Sequence, residues 1–163
     1  LITIEAVTST SQLEQIGELF REYQISLGID LCFQDFEREL ANLPGKYAPP
    51  QGRLYLALCD GMPAGSIALR PHQDDQCEMK RLYVRPAFRG RQIARLLTRQ
   101  IIADAQAIGY RQMVLDTLST MTAACALYQS LGFQPIPPYC FNPLAHVCYL
   151  GLDLTLQDKE SRQ

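Results

Sequence analysis

Metal and redox chemistry draw on residues that this chain has few of, and those shortages narrow the field before any motif is considered. Its 163 residues include only two histidines, His72 and His146, and its six cysteines, Cys32, Cys59, Cys77, Cys125, Cys140 and Cys148, form no C-x-x-C pair. Several of the cysteines fall inside apolar strand or helix patterns, so buried reduced thiols are expected and a metal site is not. No run approaches the ~18 to 20 apolar residues of a membrane span. Leu1-Ile2-Thr3-Ile4-Glu5 lacks the basic start and apolar stretch of a secretory signal, so a cytoplasmic protein with no membrane partner is expected. No Gly-Lys-Ser or Gly-Lys-Thr occurs, which removes the P-loop nucleotidases. Internal repeats and low-complexity segments are absent too, and a hydrophobic content of 47% suffices for one core, so residues 1–163 are read as one domain.

Acid is missing from one region in particular. Between Glu78 and Asp104 there is no Asp or Glu, whereas Lys80, Arg81, Arg85, Arg89, Arg91, Arg95 and Arg99, seven of the fifteen Lys and Arg residues, fall there. The whole chain has formal net charge −2, so general basicity does not explain the cluster. Residues 80–97 read as an apolar strand, a turn containing Pro86 and Gly90, and a helix that starts at once. The first N–H groups of a helix have no partner inside it and its dipole is positive there, so this layout suits an anion such as a phosphate. Two plainer readings stay open, a solvated Arg face and an ordinary turn glycine. Nucleic acid is disfavoured as a partner, because the cations alternate with apolar helix positions and no aromatic stacking series accompanies them.

Around this stretch the pattern alternates between strand and helix. Ile2 and Ile4 alternate with Thr3 and Glu5 as a first strand. Ser11-Gln12-Leu13-Glu14 fits a capping box, followed by Leu13, Ile16, Phe20, Tyr23 and Leu27 at helical spacing up to Gly28. Phe33, Phe36, Leu40 and Leu43 predict a second short helix, stopped by Pro44-Gly45. Two apolar runs flanking Asp60-Gly61 predict a hairpin, since that pair supplies the positive φ of a tight turn. In the strand 77–84, Met79 is out of phase with Leu82 and Val84, and a bulge would restore the phase. The next helix carries Ile93, Leu96, Leu97, Ile101, Ala105 and Ile108 inward and ends at Gly109. Residues 112–116 form a strand parallel to 77–84, because a helix connects them. Ser119 or Thr120 is expected to cap a further helix carrying Ala124, Leu127, Tyr128 and Leu131. Residues 133–138 and 146–153 complete the strands, and the tail from Gln157 is polar.

Arg89-Gly90-Arg91-Gln92-Ile93-Ala94 resembles the acyl-CoA signature of the GCN5-related N-acetyltransferase (GNAT) superfamily, which has Gln or Arg, two residues, Gly, one residue, then Gly or Ala. Arg89 and Ala94 fit, while Gln92 stands at the first small position. Residues 123–133, with their Leu127-Tyr128 and Gly132-Phe133 pairs, resemble the later helix of that family, and the likeness spans residues 53–153. It implies an α/β (α+β) GNAT fold: a twisted mixed sheet of about six to seven strands, about four helices, and a parted parallel strand pair in the middle. Residues 1–52 would then supply the first strand and the acceptor-side helices, and residues 53–156 the acetyl-CoA-binding core.

The resemblance also implies an activity, an N-acetyltransferase using acetyl-CoA as cosubstrate and a small-molecule, amino-acid or peptide amine as acceptor, in a monomer or homodimer. Backbone N–H groups of residues 91–95, with Arg89, Gly90, Arg91, Gln92, Ile93, Ala94 and Arg95 forming the loop, would hold the diphosphate. Leu82, Tyr83 and Val84 would pair with the pantetheine arm, and an N–H near Val84 would face the thioester oxygen. Tyr128 is the candidate general acid, since a phenol with a pKa of about 10 can protonate a thiolate whose thiol lies near 8.5; a packed helix tyrosine is the alternative. Glu78 is the candidate base, against a plain ion pair with Lys80 or an Arg, with Asp116 and His146 behind it. Glu22, Tyr23, Tyr47, Tyr139 and Asn142 are candidate acceptor contacts. Met121 stands where the family often has Asn, three residues before Ala124. A catalytically weak acyl-CoA-binding sensor is the competing function.

Overall fold

A computed structural model describes residues 1–28 and 35–156 of the chain. Seven strands form one mixed sheet in the order β1-β2-β3-β4-β5-β7-β6. They are β1 (Ile2–Ala6), β2 (Arg53–Cys59), β3 (Met62–Pro71), β4 (Gln76–Val84), β5 (Gln112–Leu118), β6 (Gln134–Pro135) and β7 (Val147–Asp153). The helices are α1 (Thr10–Leu27), α2 (Phe36–Ala41), α3 (Ile93–Ile108) and α4 (Thr122–Ser130). This is the mixed α/β sheet expected from the sequence, including the parallel β4–β5 pair.

The chain divides into two compact units, one of Leu1–Arg70 with Met79–Ile101, the other of Pro71–Glu78 with the chain from Ile102. In the first, Ile16, Leu19 and Phe20 of α1 and Phe36 of α2 are buried with Leu54, Leu56, Ala68 and Tyr83 of the sheet. These α1 residues recur at three- and four-residue spacing, and burying such a stripe is what holds a helix to a sheet. The cap differs from expectation. Ser9, not Ser11, is the N-cap, and Ser9 with Gln12 forms the capping box. Gln12 wins because its Oε1 accepts the backbone N–H groups of both Thr8 and Ser9, at 2.7 and 3.1 Å. Of the second predicted helix, Phe36 and Leu40 are in α2, and Phe33 lies outside the described residues, as does the tail from Gln157.

The β2–β3 hairpin turns on Asp60 and Gly61 at φ 50° and 82°, as Asp-Gly predicts. In α3, Ile93, Leu97 and Ile101 are buried, but Leu96 is 42% exposed, so the inward stripe is narrower than expected. Gly65 on β3 permits a close approach: a Cβ there would stand 2.7 Å from the Tyr83 carbonyl oxygen and 3.5 Å from Leu97 Cδ1.

In the second unit, β5 buries Met113, Val114 and Leu115, and β7 runs antiparallel beside it along its whole length. Three expectations fail here. Met121, rather than Ser119 or Thr120, is the N-cap of α4 and makes no side-chain cap bond. The strand expected over 133–138 shrinks to Gln134–Pro135, where prolines at 135, 137 and 138 withhold ladder donors. His146 adopts φ 64°, outside β7, and is exposed.

Candidate active site

β4 carries the expected irregularity, and it sits at Arg81, whose φ is 62°. Upstream, the Gln76 carbonyl accepts from the His72 N–H at 2.9 Å, so even-numbered residues turn their backbone groups to the β3 edge. Downstream, the Arg85 N–H donates to the Ala64 carbonyl at 2.8 Å, so odd-numbered residues face that edge. The left-handed residue between them reverses the alternation, which is what a bulge does. In consequence the N–H groups of Leu82 and Val84 point to the edge of β4 opposite β3. The ladder with β5 pairs Gln76, Cys77 and Glu78 with Gln112, Met113 and Val114, ending before this point.

From Val84 the chain passes through a 3₁₀ turn, Pro86–Phe88, and reaches α3 by way of two left-handed residues, Gly90 at φ 81° and Gln92 at φ 66°. The first bond of α3 runs from the Leu96 N–H to the Gln92 carbonyl, 3.0 Å. The N–H groups of Ile93 and Ala94 precede it and are donors the helix itself does not use. Residues 89–92 are exposed, and a Cβ on Gly90 would meet nothing within 4 Å. Arg89 Nε donates to the Val84 carbonyl at 3.1 Å, closing the loop back onto the strand. Arg91 Nη1 donates to Cys59 Sγ at 3.1 Å and its guanidinium lies over the Phe88 ring.

The position of Gln92 explains why glycine suits this site: the backbone there is left-handed, a region that disfavours side chains by about 1 kcal/mol or more. Gln92→Gly should therefore raise the melting temperature by roughly 2 to 4 °C, the shift that about 1 kcal/mol gives in a domain of this size. If main-chain groups here hold a CoA diphosphate, as the sequence resemblance implies, CoA affinity should hold or improve. Thermal unfolding and calorimetric titration check both, and weakened binding would mean that the Gln92 side chain itself contributes.

The cationic cluster is not the block of free charge that residues 80–99 suggest. Arg81 is buried, its side chain 2% exposed, and its fork reaches Glu39 through Nε–Oε2 at 2.9 Å and Nη2–Oε1 at 3.1 Å. Tyr47 donates its hydroxyl to the same Glu39 Oε1 at 2.8 Å. The Arg81 guanidinium also lies 5.2 Å from the Phe36 ring centre and 6.0 Å from that of Tyr23. Burial, the largest single influence, works to lower the Arg81 pKa, but the hydrogen bonds to Glu39 together with the charges around the guanidinium give a net upward shift. Burial likewise drives the Tyr47 phenol well above its ordinary value, with Arg81 opposing. Tyr47, expected at a substrate pocket, is thus 2% exposed and holds the carboxylate that holds Arg81. Arg85 is clasped by Glu22, with Nη2–Oε2 at 2.7 Å, and Glu22 also accepts from the Tyr83 hydroxyl at 3.4 Å. Tyr23 packs edge-on against Tyr83 at 6.3 Å.

In the second unit the structure sets four candidates in two hydrogen-bonded pairs, Glu78 with Tyr139 and Asp116 with Asn142. Glu78 is 1% exposed, and the Tyr139 hydroxyl donates to its Oε2 at 2.6 Å. Burial, then the charges of Glu78 and Asp116, push the Tyr139 pKa far up, so this phenol is a donor throughout the working pH range. The Tyr139 ring stands edge-on to His72 at 5.2 Å and to Tyr149 at 5.6 Å. Asn142 Nδ2 and Cys140 Sγ both donate to Asp116 Oδ2, at 3.0 and 3.7 Å. Tyr128 is buried on α4 with its ring 5.6 Å from that of Phe133. Burial pushes the Cys77 thiol up to about 12, an inert group, and the five cysteines among the described residues form no disulfide. Among those residues no group of three His, Cys, Asp or Glu side chains could hold a metal ion, and no helix is long and apolar enough to cross a membrane.

The Acetyltransferase (GNAT) family model matches residues 13–133. An uncharacterized N-acetyltransferase of Schizosaccharomyces pombe is 42% identical over 156 residues, spanning 94% of this chain and 96% of that protein. The N-acetylaspartate synthetase of Mus musculus is 33% identical over 147 residues, covering 88% of this chain but only 48% of its own length. Among solved structures, a GNAT-family acetyltransferase of Staphylococcus aureus Mu50 superposes with TM-score 0.79 at 21% identity, over 94% of this chain and 99% of that one. The PaiA N-acetyltransferase of Thermoplasma acidophilum, in complex with coenzyme A, gives 0.72 at 16% identity, over 94% and 99%.

Proposed function

The chain belongs to the GNAT acetyltransferase family and is an N-acetyltransferase, and we propose that it moves the acetyl group of acetyl-CoA to a primary amine by direct attack, with both substrates bound together. The observation that carries this reading is the run from Arg81 to Ala94, in which a reversed strand edge leads into a left-handed loop and a helix start with unused donors. The residues present fit a CoA diphosphate, because main-chain N–H groups at a helix start are the donors such an anion takes. The N–H groups of residues 91–95 hold the diphosphate, and Arg89 and Gly90 keep the loop shaped for it. Leu82, Tyr83 and Val84 offer β4's turned-out edge to the pantetheine arm as an added strand would.

Each remaining requirement of the transfer has a residue. The Val84 N–H donates to the thioester oxygen as negative charge grows there, and in other acyl transfers such a donor lowers the barrier by about 2.7 to 4 kcal/mol. Glu78 accepts the proton of the attacking amine, held in place by Tyr139. Tyr128 gives its hydroxyl proton to the departing CoA sulfur. The acceptor is an amine of a small molecule, amino acid or peptide, and amino acids lead the panel because a relative 33% identical is an N-acetylaspartate synthetase.

Thiol release from acetyl-CoA, followed with a thiol-reactive dye across a panel of amino acids, polyamines and peptides, tests the proposal. It expects amine-dependent release with at least one acceptor and a product heavier by one acetyl group. A calorimetric titration run beside it separates the competing sensor: CoA binding with no release on any amine would overturn the turnover reading.

A further inference from the structure

Arg81 stands in a backbone conformation that glycine adopts without strain and a bulky side chain does not, with φ 62° in the middle of a buried strand. Such a residue persists only where its surroundings hold it, and here the surroundings are unusually complete. Glu39 takes the guanidinium through two oxygens, Tyr47 fixes one of those oxygens, and the rings of Phe36 and Tyr23 flank the cation. Ser66 Oγ donates to the Arg81 carbonyl at 3.0 Å, fixing the peptide that follows. A bidentate arginine–carboxylate pair sets direction as well as energy, since both planar groups must be coplanar to make it.

We infer that Arg81, clamped by Glu39 and Tyr47, is a positioning residue for the transfer: it fixes the reversal of β4 that turns the Val84 N–H outward and so aims the donor at the thioester oxygen. The inference rests on the reading of Val84 given above and adds what determines its direction. It follows from the alternation of the strand. Were Arg81 to relax into ordinary extended geometry, Val84 would turn its N–H to the β3 edge, where the Arg85 N–H now serves Ala64. The clamp comes from α2 and the turn Gly45–Tyr47, whose Glu39 and Tyr47 precede Arg81 by 42 and 34 residues in sequence. A segment that shapes the acceptor side in this family thereby also sets a backbone donor on β4.

The test uses the full chain with acetyl-CoA labelled with carbon-13 at the thioester carbonyl, in the absence of acceptor amine. Isotope-edited infrared difference spectra report the hydrogen bond to that oxygen as a downward shift of its stretching frequency. In Arg81→Lys, which keeps the charge and loses the fork, at least half of the wild-type shift should disappear. The same variant should lower kcat at least about tenfold, short of the roughly 10² to 10³ that outright loss of an oxyanion donor costs, while the dissociation constant for CoA stays within about threefold. Tyr47→Phe, which removes one hydroxyl and keeps the ring in the core, should give a smaller change in the same direction, and it decides the matter if Arg81→Lys does not fold. Folded variants with the wild-type frequency and kcat would overturn the role of Arg81. A wild-type protein that binds labelled acetyl-CoA with no shift at all would instead overturn the Val84 reading, and the inference with it.

Discussion

Tyr128→Phe should lower kcat by about 10² to 10³ at neutral pH and leave the dissociation constant for CoA within about twofold. The magnitude is that of a positioned general acid, which contributes roughly 10² to 10⁴. The substitution is well suited to the question because the phenol ring is buried on α4 against Phe133, so the ring is retained and only the hydroxyl is lost. A thiolate leaves poorly from the tetrahedral carbon unless its charge is neutralised, and a phenol near pKa 10 is both protonated at neutral pH and acidic enough to hand a proton to sulfur. Rapid-mixing measurement of thiol release, with affinity from calorimetry, separates this from a packing defect. A packing defect would lower the melting temperature and weaken both kinetic constants together, whereas loss of the acid lowers kcat alone. An unchanged kcat would take Tyr128 out of the mechanism.

Much of the fold is legible in local sequence where one residue type has one physical use. Asp60-Gly61 could only be a tight turn between two apolar runs, and Gly109, at φ 107°, ends α3 because that conformation suits no other residue as well. Even the reversal in β4 left a trace, since Met79 is out of phase with Leu82 and Val84. Caps were harder. Ser9 with Gln12 and Ser11 with Glu14 both satisfy the capping-box pattern, and the choice falls to a glutamine that serves two backbone donors at once. At α4 no side chain caps the helix at all, so a search for Ser or Thr could not find its start.

Charge was the least legible feature, for a reason of range. Residues 80–99 read as a cationic block because a sequence window sees only neighbours, and the acids that answer Arg81 and Arg85 are Glu39 and Glu22, 42 and 63 residues earlier. Burying a guanidinium is costly unless a carboxylate is brought to it, so the buried Arg81 and the partly buried Arg85 are committed to tying α2 and α1 to β4. In the proposed function what remains for the diphosphate is mostly main chain, which would let Gln92 stand in a glycine's place. The converse holds for Tyr139 and Asn142. The sequence suggests both as pocket linings, and the structure shows each donating to a carboxylate, Glu78 and Asp116.

That pairing sets the second large effect. Glu78→Gln should lower kcat/KM by about 10² at neutral pH, and the deficit should shrink as the pH rises toward the pKa of the acceptor amine. Glu78 starts from a favourable place: it is 1% exposed, and the 2.6 Å bond from Tyr139 fixes one of its oxygens. Glutamine has the same shape and keeps an acceptor for Tyr139, so the network should survive while the basic site does not. The sign follows from the amine. Below its pKa the acceptor arrives as an ammonium ion and needs a group to take its proton, which the variant lacks; above it the acceptor arrives neutral and needs none. A base that removes this proton is worth roughly 10² to 10⁴, so the ratio of wild-type to variant kcat/KM should be largest at neutral pH and fall toward unity in alkali. Parallel pH profiles, with a ratio that does not change, would mean that Glu78 orders the loop through Tyr139 and does not handle the proton. Rescue cannot come from the phenol, because burial, the largest cause of its raised pKa, and the charge of Asp116 both remain in the variant and keep Tyr139 a donor.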